Sequence, residues 1–524
     1  QRVYTGPVIS SRLADTPCAT LGTQGLLDQL KTTFRTSYSL DNPFLSSLLE
    51  DCITNKYDFG IAYGRFRRIW YTSNWKTTRN VLCRREEEDR EERLKALVGN
   101  RIVDPDLPPR RVWDLYSNRV VPYWIMDIDS KHKYRKWPRP ISHAWMNESD
   151  RAVVWTPING YEWPVPIPKD VDLNLIRIEM LNLGLEYAWL DVLCLRQVGG
   201  PREDLRAEEW KLDVPTIGAA YYNENVVCYL SGLGRPLTLK KGDLESEQCW
   251  FRRAWTLQEV GEDRVIAGDT PDGPLHAECK DGKYETELLT RFHKQLQSMH
   301  LRVAFRVLPQ LEEMQKRVST NPVDKIAGLA FLMGSESIPA YYESVSLEEA
   351  WTALVNSMAT PPRGEFFFMC PEPGNAGKKW RPSWKQVMTK PLPAYELSSA
   401  RIWAYRDETR DEDLCDDVRC IEGLVRGLAV VEESDRHGEL IVEDKGGIEH
   451  GFEITATHTY PIPEDTYTMI LTCKHLRLGC HGWVVGRSLP GGKFEKVSLL
   501  EISRKEQRRL KNLRIFKRRR YILI

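Results

Sequence analysis

Apolar positions in the N-terminal part of the chain recur at helical spacing from Leu26 to Phe34 and from Phe59 to Trp70. Arg84 to Lys95 is polar and mixes Glu and Asp with Arg. Alternating signs at helical spacing predict a solvated helix laced by ion pairs rather than a binding tail. Pro105, Pro108 and Pro109 break that pattern and mark a linker or hinge. Trp113, Tyr116, Tyr123 and Trp124 follow, placed to strap the N-terminal helices onto the next domain.

Beyond about residue 137 the pattern alternates. Pro140 to Trp145 reads as a short strand, and Val171 to Leu185 as a helix with Leu173, Ile176, Ile178, Met180 and Leu183 on its apolar sides. Tyr187 to Leu195 is a nearly unbroken apolar run, as expected of a strand buried on both faces. Asp213 to Asn223 has helical spacing, Asn225 to Leu230 is the next strand, Trp250 to Val260 a helix, and Arg264 to Ala267 a last strand. Strand and helix in alternation predict an α/β domain with a parallel sheet and right-handed crossovers. In such sheets ligands bind beyond the carboxyl ends of the strands, and Ser142, His143, Asp191 and Ser231 fall at or near those ends.

Helical patterns dominate from about 275 to 360. Residues 361 to 385 carry Pro361, Pro362, Pro371, Pro373, Gly374 and Gly377 and predict a loop region. From about 400 to 503 short β-rich runs such as Leu424 to Val431 and Tyr467 to Cys473 alternate with Gly, Asp and Pro. The expected division is therefore a mostly helical region over 1–135, an α/β domain over 136–272, a helical extension over 273–360, and a β-rich region over 361–524 with a basic tail. That tail, with Lys517, Arg518, Arg519 and Arg520, reads as a solvated helix end or as a patch for nucleic acid, anionic lipid or nuclear import.

Composition narrows the class. Hydrophobic residues make up 41% and charged residues 28% of 524, the balance of a globular protein able to bury a large core. Lys and Arg number 74, as do Asp and Glu, so the chain as a whole has no basic excess for nucleic acid. No apolar run is long enough to span a membrane, and Gln1 to Ser10 has no apolar signal region; a cytoplasmic setting is expected. Twelve scattered cysteines suit reduced thiols. Cys473, His475, Cys480 and His481 form a Cys/His cluster, but their spacing is not a standard zinc pattern, and no metal is expected. Neither a G-x-G-x-x-G loop nor a Walker lysine motif occurs, which argues against a dinucleotide-fold dehydrogenase or a P-loop ATPase.

The densest chemistry lies in Cys249-Trp250-Phe251-Arg252-Arg253-Ala254-Trp255-Thr256-Leu257-Gln258-Glu259. Read as a helix, it puts Glu259 on the same side as Trp255, four positions earlier. A carboxylate held beside an indole on a rigid element loses water, and its pKa rises. The alternative is a helix that docks its tryptophans into a core and leaves Glu259 in solvent.

Together with Pro140-Ile141-Ser142-His143-Ala144-Trp145 and with Gly184 to Gln197, this segment resembles the three ordered signature blocks of the fungal HET (heterokaryon incompatibility) domain. Those blocks read Ser-Tyr-x-Trp-Gly, Trp-Ile-Asp-x-x-Cys-Ile-x-Gln and Trp-x-x-Arg-x-Trp-Thr-x-Gln-Glu. The second and third match closely; in the first, His143 replaces the aromatic and Met146 the glycine. Arg317 to Gly334, which carries Ser319 to Leu329, is similar to the Arg-x-x-Thr-x-Pro-x-Asp segment that follows such domains, so the likeness covers roughly residues 137 to 335.

HET domains in turn resemble TIR domains, which are flavodoxin-like, and the Trp255–Glu259 spacing is that of the TIR Trp-Cys-x-x-Glu. The resemblance implies hydrolysis of NAD at the nicotinamide–ribose bond with Glu259 as the catalytic carboxylate. It also implies a role in fungal incompatibility or cell death, and self-assembly into a homo-oligomer. NAD would be substrate, not cofactor. Cleavage builds oxocarbenium character that one carboxylate can stabilise. Trp145 or Trp255 could stack on a ring of the substrate, and Arg252 and Arg253 could pair with the pyrophosphate or with structural carboxylates. Ser142, His143 and Asp191 would line the same strand-end edge. Asp191 reads as a contact or an orienting carboxylate, His143 as a ligand contact or a core histidine. The competing readings are a non-catalytic signalling module, and an enzyme on another N-ribosyl or secondary-metabolite substrate.

Overall fold

The computed structural model describes residues 3–6, 8–72, 74–128, 135–260, 263–281, 283–298, 306–393, 404–430, 435–472 and 482–524. The chain forms two compact units. One comprises Gln1–Arg302, Arg317–Phe331 and Ser337–Ser344; the other comprises Val303–Lys316, Leu332–Glu336 and Val345–Ile524.

The first unit is built on a mixed sheet. Its strands stand in the order Arg264–Ile266, Val226–Tyr229, Arg139–His143, Tyr187–Trp189, Arg111–Asp114, Arg119–Pro122. The first four are parallel, with Ile141 opposite Val227 and Arg139 opposite Ala188. All four residues of Val226–Tyr229 are buried, which is why that segment reads as an unbroken apolar run. The Leu173–Asn182 helix sends Leu173, Ile176, Met180 and Leu181 into the core shared with Ile141, Trp189 and Val227. Asp172 caps its start by accepting from the Asn174 amide at 2.8 Å. Gly184 ends it at φ +78°, with the Leu185 amide bonded to the Met180 carbonyl at 3.2 Å and the Gly184 amide to that of Leu181 at 2.9 Å. A side chain at Gly184 would strain this left-handed stop.

Two expectations for this unit are corrected. The Tyr187 to Leu195 run is not one strand: it pairs over Tyr187–Trp189 and then forms a helical turn, Asp191–Cys194. A nearly unbroken apolar run carries no period to separate the two, and the Asp191 carboxylate, accepting from the Val192 amide at 2.7 Å, helps turn the chain. The sheet also extends past its parallel part. The Arg111–Asp114/Arg119–Pro122 hairpin adds an antiparallel edge, with Trp113 opposite Ala188. The aromatic strap works as its composition suggests. Trp113 is buried with Ile141 and Trp189, whereas Tyr123 and Trp124 are buried with Leu26, Leu49, Phe59 and Trp70 of the N-terminal helices. The charged helix, Trp75–Ala96, carries the i,i+4 pairs Arg93–Asp89 at 2.9 Å and Lys95–Glu91 at 2.8 Å.

The second unit is mainly an eight-stranded, largely antiparallel sheet. The predicted loop region is partly helix: Thr360–Met369 begins on Pro361 and Pro362, positions in the first turn that need no amide donor, and buries Phe366 and Phe367. The basic tail is a helix, Arg504–Asn512, followed by a strand, Lys517–Leu523, rather than a solvated helix end. That strand pairs with Glu412–Arg426, and its cations meet carboxylates there. Lys517 lies 3.7 Å from Glu422, Arg518 2.9 Å from Asp417 and Arg520 3.1 Å from Asp416. Buried in the same unit, Asp413 binds Arg363, accepts from the Trp380 indole at 3.1 Å, and meets Lys378 and Arg406 at 3.3 Å each.

Among the described residues no helix is long and apolar enough to cross a membrane, and no group of three or more His, Cys, Asp or Glu side chains could hold a metal ion. Cys473, His475, Cys480 and His481 lie outside the described residues.

Candidate functional site

Ser142 and His143 close the Arg139–His143 strand, and Asp191 opens the turn after its parallel neighbour Tyr187–Trp189. Parallel pairing places those carboxyl ends at one edge of the sheet. Glu259 reaches the same edge from the 250–260 segment. That segment is not the expected helix. It makes two short 3₁₀ turns, Trp250–Arg252 and Trp255–Leu257, separated by an extended Arg253 at φ −79°, ψ 139°. The interruption has a cause. Main-chain bonds to the 317–318 segment, Ala254 amide to Val318 carbonyl at 2.9 Å and Val318 amide to Arg252 carbonyl at 2.6 Å, hold this stretch as a β-bridge. Trp255 and Glu259 therefore do not share a helix face. The Trp255 ring packs on Tyr341, with centroids 6.3 Å apart.

Two bonded groups form at the edge. In the first, Ser142 Oγ donates to Glu259 Oε2 at 2.5 Å, and Trp250 Nε1 donates to Ser142 Oγ at 2.7 Å. In the second, His143 Nε2 meets Asp191 Oδ1 at 2.9 Å, and Trp145 Nε1 donates to Asp191 Oδ2 at 2.9 Å. The His143 and Trp145 rings stack at 5.7 Å. Ser142 is fully buried and Glu259 only 8% exposed, so the centre is a sealed cluster rather than the wall of an open cleft. A cavity of about 900 Å³, lined by Arg139, Glu186 and Tyr187, lies instead at the amino ends of the same strands.

The electrostatics differ between the two groups. Burial pushes the Glu259 carboxyl up to about 7; the Ser142 hydrogen bond opposes this, and the Asp191 charge adds to it. Burial disfavours a charged His143, but Asp191 outweighs it and holds the imidazole above its usual range. Burial likewise opposes a charged Asp191. The His143 charge and the hydrogen bonds from His143, Val192 and Trp145 prevail and keep it below the usual carboxylate range. The result is one settled ion pair beside one carboxyl poised near neutrality, the pattern by which neighbouring titratable groups acquire different roles.

The remaining sequence candidates divide. Arg253 is half-buried near Glu259 and donates to Thr320 Oγ1 at 3.4 Å, whereas Arg252 turns to the Glu245 carbonyl. Sequence reading missed three contributors. Trp250 holds Ser142 through its indole. Arg317 staples the segment, donating to the Arg253 carbonyl at 2.8 Å and Thr256 Oγ1 at 2.7 Å. Gln258, 3% exposed, buries both amide atoms without a hydrogen-bond partner. The third signature block held the signal for Trp250 and Gln258, and Arg317 opens the Arg-x-x-Thr-x-Pro-x-Asp segment, although no local spacing joins that segment to residues 250–260. No family model matches this chain, and neither a curated protein nor a solved structure shows significant similarity to it.

Proposed function

We propose that the first unit carries a HET-like, TIR-related domain that hydrolyses NAD at the nicotinamide–ribose bond, with Glu259 as the essential carboxylate. The observation that carries the reading is the buried Glu259, bonded to Ser142 at 2.5 Å with its pKa pushed up to about 7. In chain order the four parallel strands stand as second, first, third and fourth. That is the leading part of a flavodoxin-like order, whose ligand site lies at the switch between the first and third strands. Ser142 and His143 close the first of those strands. The open hydrogen-bonding capacity of Gln258 beside Glu259 suits a carboxamide or ribose hydroxyl.

Nicotinamide in NAD leaves as a neutral base from a cationic ring and needs no proton. Ionised Glu259 would face the developing positive charge at the anomeric carbon, and water would complete hydrolysis. Ser142 and Trp250 would fix the carboxylate; the His143–Asp191 pair would set the local field. The setting we infer is a fungal incompatibility or cell-death response in the cytoplasm, with assembly of copies of the chain bringing sites together.

A second reading, a non-catalytic signalling module, is favoured by the sealing of Ser142 and the low exposure of Glu259. Incubating purified chain with NAD over a range of protein concentrations separates the two. Release of nicotinamide and ADP-ribose is the expected outcome. Intact NAD at every concentration would leave the module.

A further inference from the structure

The chemistry at Glu259 makes no use of the cavity of about 900 Å³ at the amino ends of the parallel strands. Three loops converge on it, each leading into one of those strands: 135–138 into Arg139–His143, 184–186 into Tyr187–Trp189, and 223–224 into Val226–Tyr229. The cations on its wall are unequally engaged. Arg68 donates to Glu186 at 2.6 Å, and Arg135 donates to the Asp106 carbonyl at 2.7 Å with Asp104 3.4 Å away. Arg139 is held more loosely: it donates to the Asn225 carbonyl at 3.3 Å, and Glu224 stands 3.7 Å off. Lys136 is exposed and has no ion pair among the described residues. The carboxylates of the wall do not balance these two. Glu186 is taken up by Arg67 and Arg68, and burial with the Asp104 charge pushes the Asp106 carboxyl up, towards its neutral form. The uncommitted charge is therefore positive. Beside it lies Trp137, half-buried, whose indole stacks on no other ring among the described residues. The volume is that of a site for a ligand of several linked groups and far exceeds what a lone inorganic anion fills.

We propose that this cavity binds a small anion that carries a planar ring, of the size and class of a nucleoside monophosphate. Trp137 takes the ring, and Lys136 and Arg139 take the phosphate. Stacking on an indole and charge-assisted pairing with an ammonium and a guanidinium are the contacts such a ligand uses. The cavity lies at the opposite end of the strands from Ser142 and Asp191. It is thus a second site, and it does not rest on the N-ribosyl reading of Glu259.

The test is calorimetric titration of the full chain with adenosine monophosphate, adenosine and inorganic phosphate, using wild type, K136Q, R139Q and W137L. Wild type should bind the monophosphate about 10-fold or more tightly than adenosine or phosphate, because each of those lacks one half of what the cavity holds. K136Q, R139Q and W137L should each bind it about 10-fold more weakly, the loss of one charge-assisted pair or one stacked ring. Lys136 and Trp137 lie on a loop outside the sheet, so their variants decide the matter even where R139Q fails to fold. No binding of the monophosphate up to about 10 mM, where only the weakest complexes form, or wild-type affinity in K136Q and W137L, overturns the proposal. Adenosine or phosphate binding as tightly as the monophosphate overturns it too, since one half of the ligand would then suffice.

Discussion

Glu259→Gln is expected to lower nicotinamide release about 100-fold or more, the usual loss when one preorganised group facing transition-state charge is removed. The amide keeps the size of the carboxyl and can still accept from Ser142, so the fold should persist. Stability should change with a particular pH dependence. A carboxyl raised to about 7 in the folded chain favours folding fully below its ordinary value of 4.5, and that contribution fades as pH rises through 7. At 1.4 kcal/mol per pKa unit the loss is roughly 3 kcal/mol. Glutamine cannot ionise, so the melting temperature of the variant should gain on wild type between pH 5 and pH 8. Wild-type turnover in the variant would assign the chemistry elsewhere. A constant melting difference across that range would mean Glu259 is ordinarily ionised.

Asp413→Ala should produce the largest loss of stability, about 3–5 kcal/mol, because it strands a buried cation. Arg363 and Asp413 are each almost fully buried, at 1% and 2% side-chain exposure. Arg363 cannot escape by losing its proton as a histidine would, and the Trp380 indole loses its acceptor as well. Melting of the second unit should fall by on the order of 10 °C. Asp413→Asn, which keeps an acceptor for Trp380, should fall less. An unchanged melting curve in Asp413→Ala would show that water or a rearranged partner replaces the carboxylate.

Much of the first unit was legible where one signal acted alone. The apolar run Asn225 to Leu230 gives a strand over Val226–Tyr229, and the helical periodicity of Val171 to Leu185 gives a helix over Leu173–Asn182. The misread segments are those where distant partners decide. The 250–260 stretch has a helical apolar pattern, but the bonds to Val318 cost it the helix. Lys517–Leu523 looks like a solvated basic tail until the acidic residues of Glu412–Arg426 are set beside it. Thr360–Met369 was hidden by prolines that break a helix interior but start one comfortably.

The site divides in the same way. Ser142, His143, Asp191 and Glu259 stood out because strand ends and ordered blocks point to them. The hydrogen bond that joins Ser142 to Glu259 spans 117 positions, and no local pattern encodes the register that makes it.

The most direct test is the rate of nicotinamide release by the wild-type chain from pH 5 to pH 9 at NAD well below its KM, where the rate reports the ligand-free protein. If the poised Glu259 carboxyl must be ionised to stabilise the ribosyl cation, the rate rises with pH, reaches half its plateau near pH 7, and then levels off. A rate that is flat across this range, or NAD that stays intact at every pH, would contradict it.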